Sequence, residues 1–101
     1  MKSYKVFNFK KFKNISGELL PITFNKKFPI KVKRIFFIYG KKKYNRGDHA
    51  PKKCSQVFYP LFGKAKITIQ SKKIKKNITL NYKNDKAMLV PPKTWCDVKF
   101  L

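Results

Sequence analysis

Polar and apolar residues alternate along most of the chain with a period of two, and turn-forming residues break the alternation roughly every 8 to 12 positions. This pattern predicts short strands at Tyr4–Phe9, Glu18–Thr23, Val32–Tyr39, Ser55–Leu61, Lys64–Gln70, Ile74–Leu80, Ala87–Val90 and Trp95–Phe100. No stretch carries the period of a long helix. The alternation is clearest in Lys64-Ala65-Lys66-Ile67-Thr68-Ile69-Gln70, where Ala65, Ile67 and Ile69 share one face and the polar partners share the other. Ile74, Ile78 and Leu80 share a parity as well, and the polar link Gln70-Ser71-Lys72-Lys73 makes these two segments a hairpin. So many short strands in one chain suit an all-β jelly roll.

Between Tyr39 and Cys54 the pattern fails. The run from Gly40 to Lys53 holds two glycines and a proline, which excludes a regular central strand and marks the connection where function is expected. Phe36 and Phe37 fall on opposite faces of the preceding strand, so one is expected in the core and the other at an interface or in solvent.

At 101 residues the chain is one domain, residues 1–101, with 43% hydrophobic and 16% aromatic content to fill a single core. No stretch approaches the length of a membrane span, and the start MKSYKVFNFKKFK lacks an apolar leader, so the reading is a soluble, cytoplasmic protein. The 26 Lys and Arg against 4 Asp and Glu give a net charge of +22, almost all of it lysine and spread evenly. That field favours phosphorylated ligands, nucleic acid or anionic surfaces alike without choosing among them, and no nucleic-acid motif accompanies it. The two cysteines, Cys54 and Cys96, have no metal-ligand spacing and read as small buried fillers. The tripeptides Asn14-Ile15-Ser16 and Asn77-Ile78-Thr79 match the glycosylation acceptor and are chance matches if the protein is not secreted.

The segment Arg46-Gly47-Asp48-His49-Ala50-Pro51-Lys52-Lys53-Cys54-Ser55-Gln56, followed by Gly63, has the spacing H-x-P-x4-Q-x6-G. It resembles the first motif of the cupins, H-x-H-x4-E-x6-G, with Pro51 at the second His and Gln56 at the Glu. Ala87–Val90 followed by Pro91-Pro92-Lys93-Thr94-Trp95-Cys96 echoes the second motif, with Cys96 at its His. One ligand of four survives, so no metal and no other cofactor is expected.

Taken with Phe7-Asn8-Phe9-Lys10-Lys11 and Lys33-Arg34-Ile35-Phe36-Phe37-Ile38, these motifs resemble the sugar-nucleotide 3,4-ketoisomerases, the metal-independent cupins that include the FdtA, QdtA and WxcM-like proteins. The resemblance runs from Val6 to Val98. It implies a cupin barrel, a homodimer with exchanged strands, and a dTDP-linked 4-keto-6-deoxyhexose as partner, isomerised through an enediol on the way to sugars of surface glycans such as lipopolysaccharide. It further implies His49 as the catalytic proton shuttle, Arg46 near the diphosphate, and Gln56 and Trp95 as pocket residues. Four positions depart from the family: Pro51 replaces the second catalytic His, Phe36 and Phe37 leave the strand without its tyrosine, and Cys96 stands at a His. Family members also continue past the point where this chain stops, so the barrel is expected to lack its last strands.

Three functional readings follow: a ketoisomerase relying on His49, with Tyr39, Tyr44 or Tyr59 able to replace the lost phenol; a catalytically inactive nucleotide-sugar-binding cupin; and a basic binder of nucleic acid or anionic surfaces.

Overall fold

The computed structural model describes residues 4–50 and 52–101, and the side chains of Asp48 and His49 fall outside that description. Nine strands are present among the described residues: β1 Lys5–Asn8, β2 Phe12–Asn14, β3 Gly17–Leu19, β4 Asn45–His49, β5 Gln56–Phe58, β6 Lys64–Gln70, β7 Lys75–Asn81, β8 Lys86–Val90 and β9 Trp95–Phe100. A single 3-10 turn, Tyr82–Asn84, links β7 to β8. All pairings are antiparallel.

Two sheets carry the fold. One has the order β4-β9-β6-β7 and the other β1-β8-β5, while β2 and β3 form a separate hairpin. The β6–β7 hairpin has the expected register, with Ile67 opposite Ile78 and Ala65 opposite Leu80. Alternation then decides the core: Ile67, Ile69, Leu80, Cys96 and Val98 from the first sheet meet Met88 and Val90 from the second, all buried. By the transfer scale, burying each of the larger aliphatic side chains in such a core is worth roughly 1.5–3 kcal/mol relative to exposure. Every residue of β8 from Ala87 to Val90 is buried, because both faces of that strand are covered. Met88 and Val90 face the first sheet, and the side of Ala87 and Leu89 carries an aromatic layer of Phe7, Phe9, Phe28 and Tyr59. This is the all-β jelly-roll arrangement that the alternation predicted.

Several boundaries differ, each for a local reason. The predicted strand at Val32–Tyr39 forms no ladder: its content favours a strand, but no segment among the described residues offers it hydrogen bonds. Phe36 and Phe37 are consequently both exposed, not split between core and surface. The strand predicted at Glu18–Thr23 ends at Leu19, two residues before Pro21, which has no N–H to give a ladder. The reading missed β2, which meets β3 across Ile15-Ser16; Asn14 Oδ1 accepts from Ser16 N at 2.9 Å, fixing the turn. It also missed β4, which lies at a sheet edge and is broken by a bulge. Cys54 is exposed rather than buried, since it belongs to the irregular stretch before β5; Cys96 is buried as expected.

A charged cluster ties the periphery together. Lys11 Nζ lies 2.7 Å from Asp85 Oδ1 and 3.9 Å from Glu18 Oε2, and it donates to the Tyr82 carbonyl at 3.3 Å. The hydrogen bond to Asp85 is the main cause that raises the Lys11 pKa above its ordinary value. Asp85 itself takes a left-handed conformation, and its carbonyl accepts from Phe9 N at 2.9 Å, so the segment after β1 is fastened to the β7–β8 turn.

Candidate active site

The two sheets are joined by Pro91-Pro92-Lys93-Thr94, which carries the chain from Val90 at the end of β8 to Trp95 at the start of β9. Thr94 is buried, and Lys93 adopts φ 62° to complete the reversal. This short crossing brings the ends of four strands to one mouth of the barrel. Gln56, the first residue of β5, pairs with Val90, and His49, the last residue of β4, pairs with Cys96. The backbone thus places His49, Gln56 and Cys96 at the same end of the barrel, with Gln56 and Cys96 on its inward faces.

Arg46 pairs with Val98, two positions along β9 from Cys96, and is exposed. It lines a shallow cavity of about 240 Å³ with Phe36, Phe37, Ile38 and Tyr39. So the two aromatic departures from the family pattern sit beside the arginine expected near the diphosphate. Arg34 stacks its guanidinium over Phe36, 5.2 Å from the ring centre. Of the tyrosines considered for the missing phenol, Tyr39 borders this cavity, Tyr44 is exposed just before β4, and Tyr59 packs against Phe9 on the outer side of β5. Tyr4 was not considered from sequence, yet it packs against the core cluster, as its shared parity with Val6 on the first strand foreshadows.

Trp95 pairs with Gln70 and shares its face of β9 with Asp97 and Lys99, the face opposite Cys96 and Val98. It is half-buried at the rim. Cys96 has a thiol pushed up to about 11, first by burial and second by the Asp97 carboxylate, so it stays protonated near neutrality. Asp97 in turn accepts a hydrogen bond from the Asn45 side chain, pinning the start of β4. Pro51 lies outside the described residues. Among the described residues no three His, Cys, Asp or Glu side chains gather where they could hold a metal ion. No helix among them is long and apolar enough to cross a membrane.

Comparison with known proteins locates this arrangement. The TDP-4-oxo-6-deoxy-alpha-D-glucose-3,4-oxoisomerase of Aneurinibacillus thermoaerophilus is 38% identical over 78 residues, which cover 76% of this chain and 56% of that enzyme. The chain therefore spans little more than half the length of this curated relative. The crystal structure of QdtA, a sugar 3,4-ketoisomerase from Thermoanaerobacterium thermosaccharolyticum in complex with TDP, superposes with a TM-score of 0.87 at 28% identity, over 99% of this chain and 73% of that one. WlaRB, a TDP-quinovose 3,4-ketoisomerase from Campylobacter jejuni, matches with a TM-score of 0.87 at 26% identity, over 100% of this chain and 78% of that one. The family model described as "FdtA: WxcM-like, C-terminal" matches residues 2–101, and the chain belongs to that family.

Proposed function

We propose that this protein isomerises a dTDP-linked 4-keto-6-deoxyhexose to its 3-keto form. The observation that carries the reading is the 38% identity to the Aneurinibacillus oxoisomerase, aligned over 76% of the chain. A base takes the proton from C3, the C–H electrons form the C3–C4 double bond, and the C4 oxygen picks up a proton to give the enediol. The C3 hydroxyl then loses its proton as C4 gains one, leaving a carbonyl at C3 and no net redox change. His49 is the group for these transfers, since an imidazole with pKa near 6.5 gives and takes protons at neutral pH. Arg46 meets the diphosphate, Gln56 lines the mouth, Trp95 stands at the rim on the other face of β9, and no metal or cofactor takes part. The step belongs to deoxysugar synthesis for surface glycans in the cytoplasm.

The protein acts as a homodimer. Ile35, Phe36, Phe37, Ile38 and Tyr39 are all exposed in a segment with strand-forming content and no ladder among the described residues, and a second copy would cover them.

The test is NMR of the chain with dTDP-4-keto-6-deoxyglucose in D₂O. Deuterium entering at C3 of the substrate or C4 of a 3-keto product, and lost in His49→Asn, is the expected result. A second reading, a nucleotide-sugar-binding cupin without chemistry, is favoured by Pro51, Phe36 and Phe37 standing where the family carries proton-transfer groups. It predicts stabilisation by dTDP with no exchange. Binding of nucleic acid that collapses with added salt, and no response to dTDP, would instead support the basic binder suggested by the +22 charge.

A further inference from the structure

The edge strand β4 reaches His49 through an irregularity. Its ladder with β9 runs Asn45 to Lys99, Arg46 to Val98 and Gly47 to Asp97, and then shifts so that His49, not Asp48, stands opposite Cys96. An unbroken antiparallel ladder would set Asp48 opposite Cys96 and His49 opposite Trp95, on the other face of the sheet. Asp48 is thus the extra residue of a β-bulge, and the bulge moves the His49 backbone from the register of Trp95 to that of Cys96. Such bulges often re-aim a side chain beside an active site.

Gly47 makes the bulge possible for two independent reasons. Its φ is +107°, a conformation that residues with a side chain rarely adopt. A Cβ built there would also lie 2.9 Å from the Cys96 carbonyl oxygen, a backbone atom that cannot swing aside. Any larger residue at this position must push β4 off β9 or return the backbone to ordinary strand geometry, and the latter restores the unbroken register.

We propose that Gly47 is a positioning residue for His49: by holding the bulge it sets the histidine in the barrel-side register of Cys96. The bearing on catalysis rests on the isomerase reading above, but the register claim does not.

The test compares four chains: the parent, Gly47→Ala, a deletion of Asp48, and the two changes combined. Deleting Asp48 removes the extra residue, so a regular ladder places His49 opposite Cys96 without any need for positive φ at position 47. Cross-strand NOEs between the His49 and Cys96 backbones are expected in the parent and in the deletion, lost in Gly47→Ala, and regained in the combined chain. A merely space-filling role for Gly47 would leave the combined chain as impaired as Gly47→Ala. If Gly47→Ala is too unstable to measure, the combined chain against the deletion alone still decides the matter.

In the isomerase assay, Gly47→Ala should lower the deuterium exchange rate by ~10²-fold, the scale of a misplaced catalytic group. Its affinity for TDP should change by less than about twofold, because Arg46 precedes the bulge and keeps its register. Recovery of exchange in the combined chain completes the expected result. Retention of the His49–Cys96 contacts in folded Gly47→Ala, or their absence from a folded combined chain, overturns the proposal. A parent that shows the contacts but no exchange refutes the isomerase reading alone.

Discussion

Raising the pH should unfasten the barrel at Cys96. Its thiol is buried, lies at the start of β9 and is pushed up from 9.0 to about 11. The sign follows from which state holds the proton. Between these two values the unfolded chain releases the Cys96 proton and the folded chain keeps it, so the contribution to stability is full below pH 9 and lost as pH rises toward 11. A shift of about two units at 1.36 kcal/mol each makes the total loss ~2–3 kcal/mol, with a steepest slope of ~1.4 kcal/mol per pH unit. Against a typical domain stability of roughly 5–15 kcal/mol this is a large fraction.

The difficulty is that other groups titrate in the same window. The chain has 24 lysines, whose deprotonation relieves the self-repulsion of a +22 molecule and stabilises it. Tyr59 and Lys11 are also raised, Tyr59 chiefly by burial and Lys11 chiefly by its bond to Asp85, and both lose stabilising contributions at high pH. A difference measurement removes these shared effects. Urea midpoints should be determined from pH 8 to 11 under reducing conditions for Cys54→Ala, which leaves one thiol, and for Cys54→Ala with Cys96→Ala. The gap between the two curves should be constant below pH 9 and then close or invert by ~2–3 kcal/mol. The difference in absorbance at 240 nm between these two chains, which cancels the shared tyrosinate signal, should give a midpoint near 11 for the Cys96 thiolate. Parallel stability curves across the whole range would refute the argument, because they would mean the folded state imposes no cost on the thiolate.

Other consequences are local. Gly40 sits against the Phe100 ring with no room for a Cβ, so Gly40→Ala should cost ~1–3 kcal/mol in urea unfolding, and an unchanged midpoint would show that the ring yields freely. Asp85→Asn removes the carboxylate 2.7 Å from Lys11 and should lower the melting temperature at pH 7 while flattening the alkaline loss above the ordinary lysine value of 10.5; equal melting temperatures would argue against the cluster as a fastening. Tyr39 borders the Arg46 cavity, so Tyr39→Phe should slow deuterium exchange by ~10²-fold or more if its phenol replaces the missing one, and full activity would exclude it from proton transfer. If the proposed homodimer forms through this exposed segment, Phe36→Lys with Phe37→Lys should give a monomer in sedimentation where the parent is a dimer, whereas an unchanged dimer would move the interface elsewhere.

The core was legible where one periodicity coincided with one-sided burial. In β6, Ala65, Ile67 and Ile69 announced their face because Lys66 and Thr68 stand between them and Lys64 and Gln70 flank them. Val32–Tyr39 shows the limit of that signal: side-chain content favours a strand, but a strand exists only when another strand completes its hydrogen bonds. The site was hidden for a different reason. Glycine and charge in Asn45-Arg46-Gly47-Asp48-His49 read as a loop, since a bulged edge strand combines the residues that strand patterns avoid. The Asn14-Ile15-Ser16-Gly17 turn was overlooked because a side-chain hydrogen bond, not an Asn-Gly pair, closes it.

The described departures from the family pattern fall both inside the core and on the surface. Cys96, which is in the core, is a small apolar filler that the packed interior tolerates, while Phe36 and Phe37 are exposed and contribute nothing to that interior. The mouth of this chain is built by backbone devices: the Pro91-Pro92 crossing, the left-handed Lys93 and the bulge after Gly47. Folding selects for register and burial, and catalysis selects for particular proton-carrying groups at positions that folding leaves free. A chain that meets the first demand can therefore present His49 and Arg46 on the family's barrel whether or not the second is met. That separation makes exchange at the sugar carbons, rather than foldedness or nucleotide binding, the observation on which the function turns.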